Sequence, residues 1–298
     1  MEPSPLQLTA AELGVLRDPN GASGREAFKL ALTELIAKGI VRFRRESRKV
    51  MWVFTKHQDY LLVEMDTRGL APLETHLRAA ANIVAAVSNG REGAMIASVV
   101  QSARQKFGGD LAKFKTEMIL PALVRKGYLQ TREEKSFGIF SRTKYELTAK
   151  GQDTLNQLDA LSSDAQKLTD VYQRSPAEAF ALMGLLGSGF LLMPELRTQY
   201  QAIGQQFRAT GGDSGTAFVT GDSSGGGVDA DPEAVLPDVG QQLEGAWGGL
   251  LDTFDGAMDS FDSVLDSFDS SFDSADGGSD GGDGGGDGGG DGGGGGDQ

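Results

Sequence analysis

The stretch that decides the fold is LIAKGIVRFRRESRKVMWVFTK, Leu35 to Lys56. Leu35 and Ile36 end an apolar helical face, and Gly39 suits the position just past a helix terminus. Two β-prone runs, IVRFRR and VMWVFT, follow directly, with a turn expected at ESRK. A helix that feeds straight into a hairpin predicts a small α+β unit. Alternation in VRFRR places Val41 and Phe43 on one face and Arg42 and Arg44 on the other, while Arg45, Arg48 and Lys49 ring the expected turn. These basic side chains are candidates for contact with phosphates or with the chain's own acidic tail. The competing reading is a solvated hairpin edge, kept charged against edge-to-edge pairing.

Working outward, T-A-A-E from Thr9 to Glu12 fits a capping box that opens a short helix with Leu13 and Leu16, ending at Asp18-Pro19. A second box, Ser23 to Glu26, opens a helix with Ala27, Phe28, Ala31, Leu32, Leu35 and Ile36 on one face. Downstream the plan recurs at greater length. Helices are predicted over Glu74–Ser88 and Ala94–Phe107, and a third, capped by Asp110, carries Leu111, Phe114, Met118 and Leu123 to Gly127, with a kink at Pro121. A strand from Tyr128 and another through Thr143, Tyr145 and Leu147 complete it. The expectation is two tandem winged-helix units, residues 5–66 and 72–175, the second with a C-terminal helix. Base reading would need a helix in a groove: the second unit offers Lys113, Lys115 and Thr116, then Arg125 and Lys126, and the first offers Arg25 and Lys29 beside Glu26 and Glu34.

LVRKGYLQT (Leu123 to Thr131) and KYELTAKGQ (Lys144 to Gln152) resemble the recognition-helix end and the wing-to-helix junction of bacterial winged-helix regulators of the MarR and PadR type. That resemblance covers about residues 74 to 170 and implies the fold more than a function. LTAAELGVL (Leu8 to Leu16), ALTELIAKGIVRF (Ala31 to Phe43), LAPLETHLRAA (Leu70 to Ala80), a late apolar segment and a glycine-rich end resemble the soluble portion of an uncharacterised bacterial membrane-protein family. There, two small winged-helix-like units follow transmembrane helices and a Gly-rich tail closes the chain. This sequence departs from that pattern: it shows no clear spanning segment, and its terminal glycines include no cysteines.

Charge divides the chain sharply. Residues 1–175 carry 26 Lys and Arg against 20 Asp and Glu, and residues 176–298 carry 2 against 22, for a net charge of −14. A mildly basic body joined to a polyanionic tail suggests an interaction tail or internal masking. Leu155, Leu158, Leu161, Ala165, Leu168 and Tyr172 form a stripe that serves either a dimer arm or a helix folded back on its own domain. The apolar run Ala179 to Met193, within a helical segment at 176–210, has 15 residues. As a helix it spans roughly 22 Å, against a hydrocarbon core of roughly 30 Å, so it reads as buried or interfacial. Peripheral membrane contact through it, aided by the basic hairpin, is a third reading.

A flexible linker is expected at 211–240, an acidic amphipathic segment at 241–274 and a disordered Gly/Asp tail at 275–298. In the amphipathic segment Trp247, Leu251, Phe254, Met258, Phe261, Leu265, Phe268 and Phe272 recur at helical spacing with Asp crowded beside them. Trp247, Phe254, Phe261, Leu265, Phe268 and Phe272 are the candidate partner-binding seam. It is expected to be disordered alone and to fold in a groove, with packing against Ala179–Met193 as the alternative.

The chain has no cysteine, which excludes disulfides, thiolate metal sites and cysteine nucleophiles. His57, expected just after the hairpin, and His76, expected at a surface or boundary, have no ligand spacing, and no glycine cluster carries a P-loop lysine. No catalytic residue, metal or cofactor is assigned. MEPSPLQLTAAEL lacks a basic n-region and apolar h-region, so no secretory signal is expected, and a cytoplasmic site follows, with membrane association as the alternative. The leading expectation is a non-enzymatic winged-helix adaptor whose acidic tail binds a protein partner or masks the basic wing. Its rival is a DNA-binding regulator restrained by that tail.

Overall fold

In the computed structural model the described residues are 7–50, 54–63, 73–88, 93–136, 140–193, 195–196, 198–199, 203 and 265–274. Helix α1 (Ala10–Arg17) opens on the expected capping box: Glu12 N–H donates to Thr9 Oγ1 and Thr9 N–H to Glu12 Oε2, both at 3.1 Å. Helix α2 (Gly24–Ala37) buries the six predicted apolar residues. Its box is only half formed. Ser23 Oγ accepts from Arg25 N–H at 3.1 Å, while the Glu26 carboxylate lies 2.6 Å from Lys29.

Both helix-to-hairpin junctions close by one device. After α2, Ile40 N–H donates to Leu35 O and Gly39 N–H to Ile36 O, with Gly39 at φ +66°. In the second unit Tyr128 N–H donates to Leu123 O and Gly127 N–H to Val124 O, with Gly127 at φ +78°. This pair of bonds satisfies carbonyls at the helix end and needs a left-handed residue, which glycine adopts without steric cost. Strand β1 (Val41–Val50) follows and pairs antiparallel with β2 (Phe54–Val63).

The expected turn at ESRK is displaced. Val50 pairs with Phe54, so residues 46–49 lie on the strand ladder, and Arg45, Arg48 and Lys49 stand opposite Asp59, Lys56 and Thr55. Strand positions alternate between two faces, so 42, 44 and 48 share one parity and 45 and 49 the other. His57, expected beyond the hairpin, is a β2 residue opposite Ser47.

Helix α3 (Thr75–Val87) is followed by a two-residue strand β3 (Ala94–Met95) and helix α4 (Ile96–Phe107). Ala94 and Met95, expected as the start of a helix, instead pair with Leu61 and Tyr60, giving the sheet order β1-β2-β3. The second repeat thus supplies a strand to the sheet of the first. Asp110 Oδ1 accepts from Ala112 N–H at 3.0 Å, and the helix that starts at Ala112 passes through a π-helical stretch, Phe114–Ile119, before α5 (Leu120–Arg125). Pro121 explains that stretch: it lacks an N–H and its ring crowds the carbonyl four residues back, and widening the helix relieves both. Strands β4 (Leu129–Ser136) and β5 (Phe140–Leu147) form the second hairpin.

The stripe from Leu155 to Tyr172 is split into α6 (Ala149–Ala165) and α7 (Leu168–Arg174), and Leu158, Leu161, Ala165 and Leu168 are buried in the chain's own core. The run at Ala179–Met193 becomes α8 (Pro176–Leu186) and a 3₁₀ helix (Gly187–Leu192), which packs on α1 and α2. Among the described residues, no helix is long and apolar enough to cross a membrane. One buried apolar cluster runs from Leu8 through both helix-and-hairpin units and includes Phe268 and Phe272. The architecture is mixed α+β, and residues 265–274 form a further helix, α9, on its body.

Candidate interaction groove

Residues 265–274 bring the acidic segment back onto the body. Phe268 and Phe272, four residues apart, are 1% and 3% exposed, and Leu265 is half-buried beside them. Arg25 and Lys29, also four apart, stand one above the other on α2. Lys29 Nζ lies 3.2 Å from Asp269 Oδ1 and 2.6 Å from Glu26 Oε1. The Arg25 guanidinium carbon is 5.3 Å from the centre of the Phe272 ring, a cation-π contact. From the last turn of α4, Arg104 Nη1 donates to Phe272 O at 3.3 Å, placing a cation against a carbonyl near the end of α9.

Burial opposes the charge on Lys29, and the hydrogen bonds and charges of Glu26 and Asp269 outweigh it, so its pKa is raised. A shallow cavity of about 200 Å³ remains at this contact, lined by Ser23, Arg25, Glu26, Lys29, Asp269, Phe272 and Asp273. Magnitudes assign the roles. Each buried phenyl contributes about 1.5–3 kcal/mol, whereas an ion pair with an exposed carboxylate such as Asp269 contributes about 1 kcal/mol or less. The rings hold the helix down, and the basic residues fix its register.

The other basic residues singled out in the sequence have different settings. Arg42 is exposed, and half-buried Arg44 places its guanidinium carbon 5.7 Å from the centre of the Tyr60 ring. Lys113 is exposed. Lys115 Nζ donates to Ala22 O at 2.7 Å and Asn20 O at 3.4 Å, tying the π-helical stretch to the α1–α2 loop. Thr116 Oγ1 donates to Ala112 O, within its own helix. Of the predicted seam, Leu265, Phe268 and Phe272 meet the body, at α2 and α4 as well as the core; Trp247, Phe254 and Phe261 lie outside the described residues.

A second polar cluster went unread in the sequence. Lys126 Nζ lies 2.7 Å from Glu12 Oε1 and 2.8 Å from Glu74 Oε1, and Glu12 is wholly buried. Burial opposes the Lys126 charge, but its two carboxylate partners raise its pKa, and the hydrogen bond from Lys126 lowers that of Glu74. His76, expected near the surface, is wholly buried, with Nε2 2.8 Å from Thr9 Oγ1 and its ring edge-on to Phe114. Burial lowers its pKa to about 4. Glu34 accepts from Ala10 N–H and from Ser188 Oγ, each at 2.8 Å, and burial raises its pKa. These bonds clasp α1, α2, α3, α5 and the 3₁₀ helix together. Among the described residues no group of three His, Cys, Asp or Glu could hold a metal ion.

The signal that could have located the groove is complementary spacing: Arg25 and Lys29 at four residues, answered by Phe268-Asp269 and Phe272-Asp273 at four. No protein-family model matches the chain, and no curated protein matches it.

Proposed function

We propose that the chain is a non-enzymatic regulatory interaction protein built on two winged-helix-like units, whose α2–α4 groove receives acidic, aromatic helices and is occupied by the chain's own tail. The observation that carries this reading is the burial of Phe268 and Phe272 beside Lys29 and Arg104. It revises the tail's role. Two phenylalanines enclosed by the body cannot at the same moment recruit a partner, so the docked helix acts as a plug, and a competing acidic helix is the ligand that displaces it. The winged-helix assignment rests on the order helix, glycine-closed turn and antiparallel hairpin, which occurs twice.

The test uses the full chain and a variant in which Phe254, Met258, Phe261, Leu265, Phe268 and Phe272 are all replaced by serine, with a labelled peptide of residues 261–276 as probe. Fluorescence anisotropy should show weak binding to the wild type and at least about tenfold tighter binding to the variant, since freeing an occupied site removes competition in proportion to its occupancy. Equal affinity for both chains would remove the plug from the mechanism.

A second reading has its own observation. Arg25 and Lys29 sit in the first two turns of α2, the end that a helix-turn-helix protein presents to a DNA groove, so an acidic helix laid over them imitates a phosphate backbone. The same variant then binds random duplex DNA with a steep loss of affinity as salt rises, and the wild type binds less.

A further inference from the structure

The docked helix is one copy of a sequence that occurs three times in tandem. Residues 254–260 read FDGAMDS, 261–267 read FDSVLDS and 268–274 read FDSSFDS. Each copy is Phe-Asp, two small or β-branched residues, one large apolar residue, then Asp-Ser. The contacts made by the third copy fall on what all three share. Phe268 is enclosed, Asp269 meets Lys29, the apolar position Phe272 is enclosed, and Asp273 lines the cavity beside Arg25. Residues 271 and 270, where the copies differ, are half-buried and exposed. Residues 254–264 lie outside the described part of the chain, and what they have in common with the docked copy is sequence.

We propose that the α2–α4 groove is a receptor for this seven-residue unit, and that the two upstream copies of the same chain are alternative ligands that replace the third when it leaves. The inference rests on the plug described above and deepens it: the plug is redundant. A shift of seven residues turns an α-helix by nearly two full turns, so Phe261 and Leu265 would present the same face as Phe268 and Phe272, with Asp262 where Asp269 stands. Upstream copies have Leu265 or Met258 in place of Phe272 and so give up the Arg25 contact, a roughly two- to fivefold preference for the third copy. Gly256 within the first copy weakens its helix further, ranking the copies third, second, first. A partner that competes for the groove therefore meets a series of tethered ligands rather than one, and the tether keeps each at high effective concentration.

Zero-length carbodiimide coupling tests this on the full chain, because it joins an amine to a carboxylate in contact, as Lys29 is with Asp269. Chymotryptic fragments separate Asp255, Asp262 and Asp269, and an equal mixture of unlabelled and ¹⁵N-labelled chains distinguishes coupling within a molecule from coupling between molecules. Coupling of Lys29 to Glu26, its neighbour at 2.6 Å, reports that α2 is folded in every sample. The wild type should couple Lys29 to Asp269. In Phe268→Ser/Phe272→Ser the coupling should move within the molecule to Asp262, with less at Asp255.

Ser271→Val/Phe272→Leu, which writes the second copy into the third position, should retain Asp269 coupling, reduced about two- to fivefold by loss of the ring. Abolition of coupling in that variant, or failure of the double-serine variant to couple Lys29 to either upstream aspartate, overturns the inference while leaving the plug intact. Upstream coupling found only between molecules also overturns exchange within the chain. Absence of Lys29–Asp269 coupling in the wild type would instead overturn the docked tail itself, and the redundancy with it.

Discussion

The first hairpin and the α2–α4 groove are both basic, and they arrange their charge in different ways. β1 carries five basic residues between Arg42 and Lys49, divided between the two parities of its strand. The groove has Arg25, Lys29 and Arg104, separated by up to 79 positions in the chain, yet all three meet one ten-residue helix. Clustering in sequence did not produce convergence in space. Convergence came from helix packing, which sets three cations from two helices against the rings and carbonyl of a third.

The largest effect belongs to the lysine just past the end of α5: Lys126→Met leaves Glu12 buried without its cation and should cost about 3–5 kcal/mol in denaturant unfolding. A loss under about 1 kcal/mol would place this lysine with the surface charges. Acid comes next. His76 has a folded pKa of about 4, below its ordinary 6.5, so its stabilising contribution is complete above pH 6.5 and is lost as pH falls toward 4, by about 3 kcal/mol. The hydrogen-bonded Glu74, with a lowered pKa, adds to that loss, whereas Glu34, with a raised one, opposes it. A His76→Asn variant should show a flatter stability profile between pH 6.5 and 4.

At the groove, Phe268→Ala should weaken docking by about 1.5–3 kcal/mol, read as loss of amide-exchange protection across 265–274 with the rest of the body unchanged. The smallest effect is expected at the hairpin. Arg42→Ser should alter stability by less than about 1 kcal/mol and leave exchange at 265–274 as it was. A hairpin substitution that released the tail helix would erase the distinction between the two regions.

What the sequence disclosed was local. The Thr9–Glu12 box, the apolar face of α2 and the glycine closures at Gly39 and Gly127 depend on residues within five positions of one another, so spacing reveals them. The displaced hairpin turn shows the limit of such reading: ESRK has turn chemistry, but ladder pairing continued through it to Val50. Pro121 signalled a distortion without saying that it would take π-helical form. The burial of His76 was misread and the partners of Lys126 went unread because distant residues set both: Lys126 joins Glu12 across 114 positions, and His76 joins Thr9 across 67. The aromatic seam was legible as a ligand, but its seat on α2 and α4 was not, since the matching four-residue spacing of Arg25 and Lys29 lies 240 positions away and becomes a signal only when the two segments are set side by side.

The pairing of β3 with β2 has a consequence for how the molecule is made. On the ribosome, the first hairpin emerges with the outer edge of β2 open, and that edge waits until Ala94 and Met95 are synthesised to cover part of it. Glu12 waits longer still for Lys126. A nascent chain stalled between the two repeats would therefore expose an uncovered strand and an unpaired carboxylate together, which opens this interval to chaperones and proteases. The repeats look like cassettes in the sequence, but in synthesis they behave as halves of a single object.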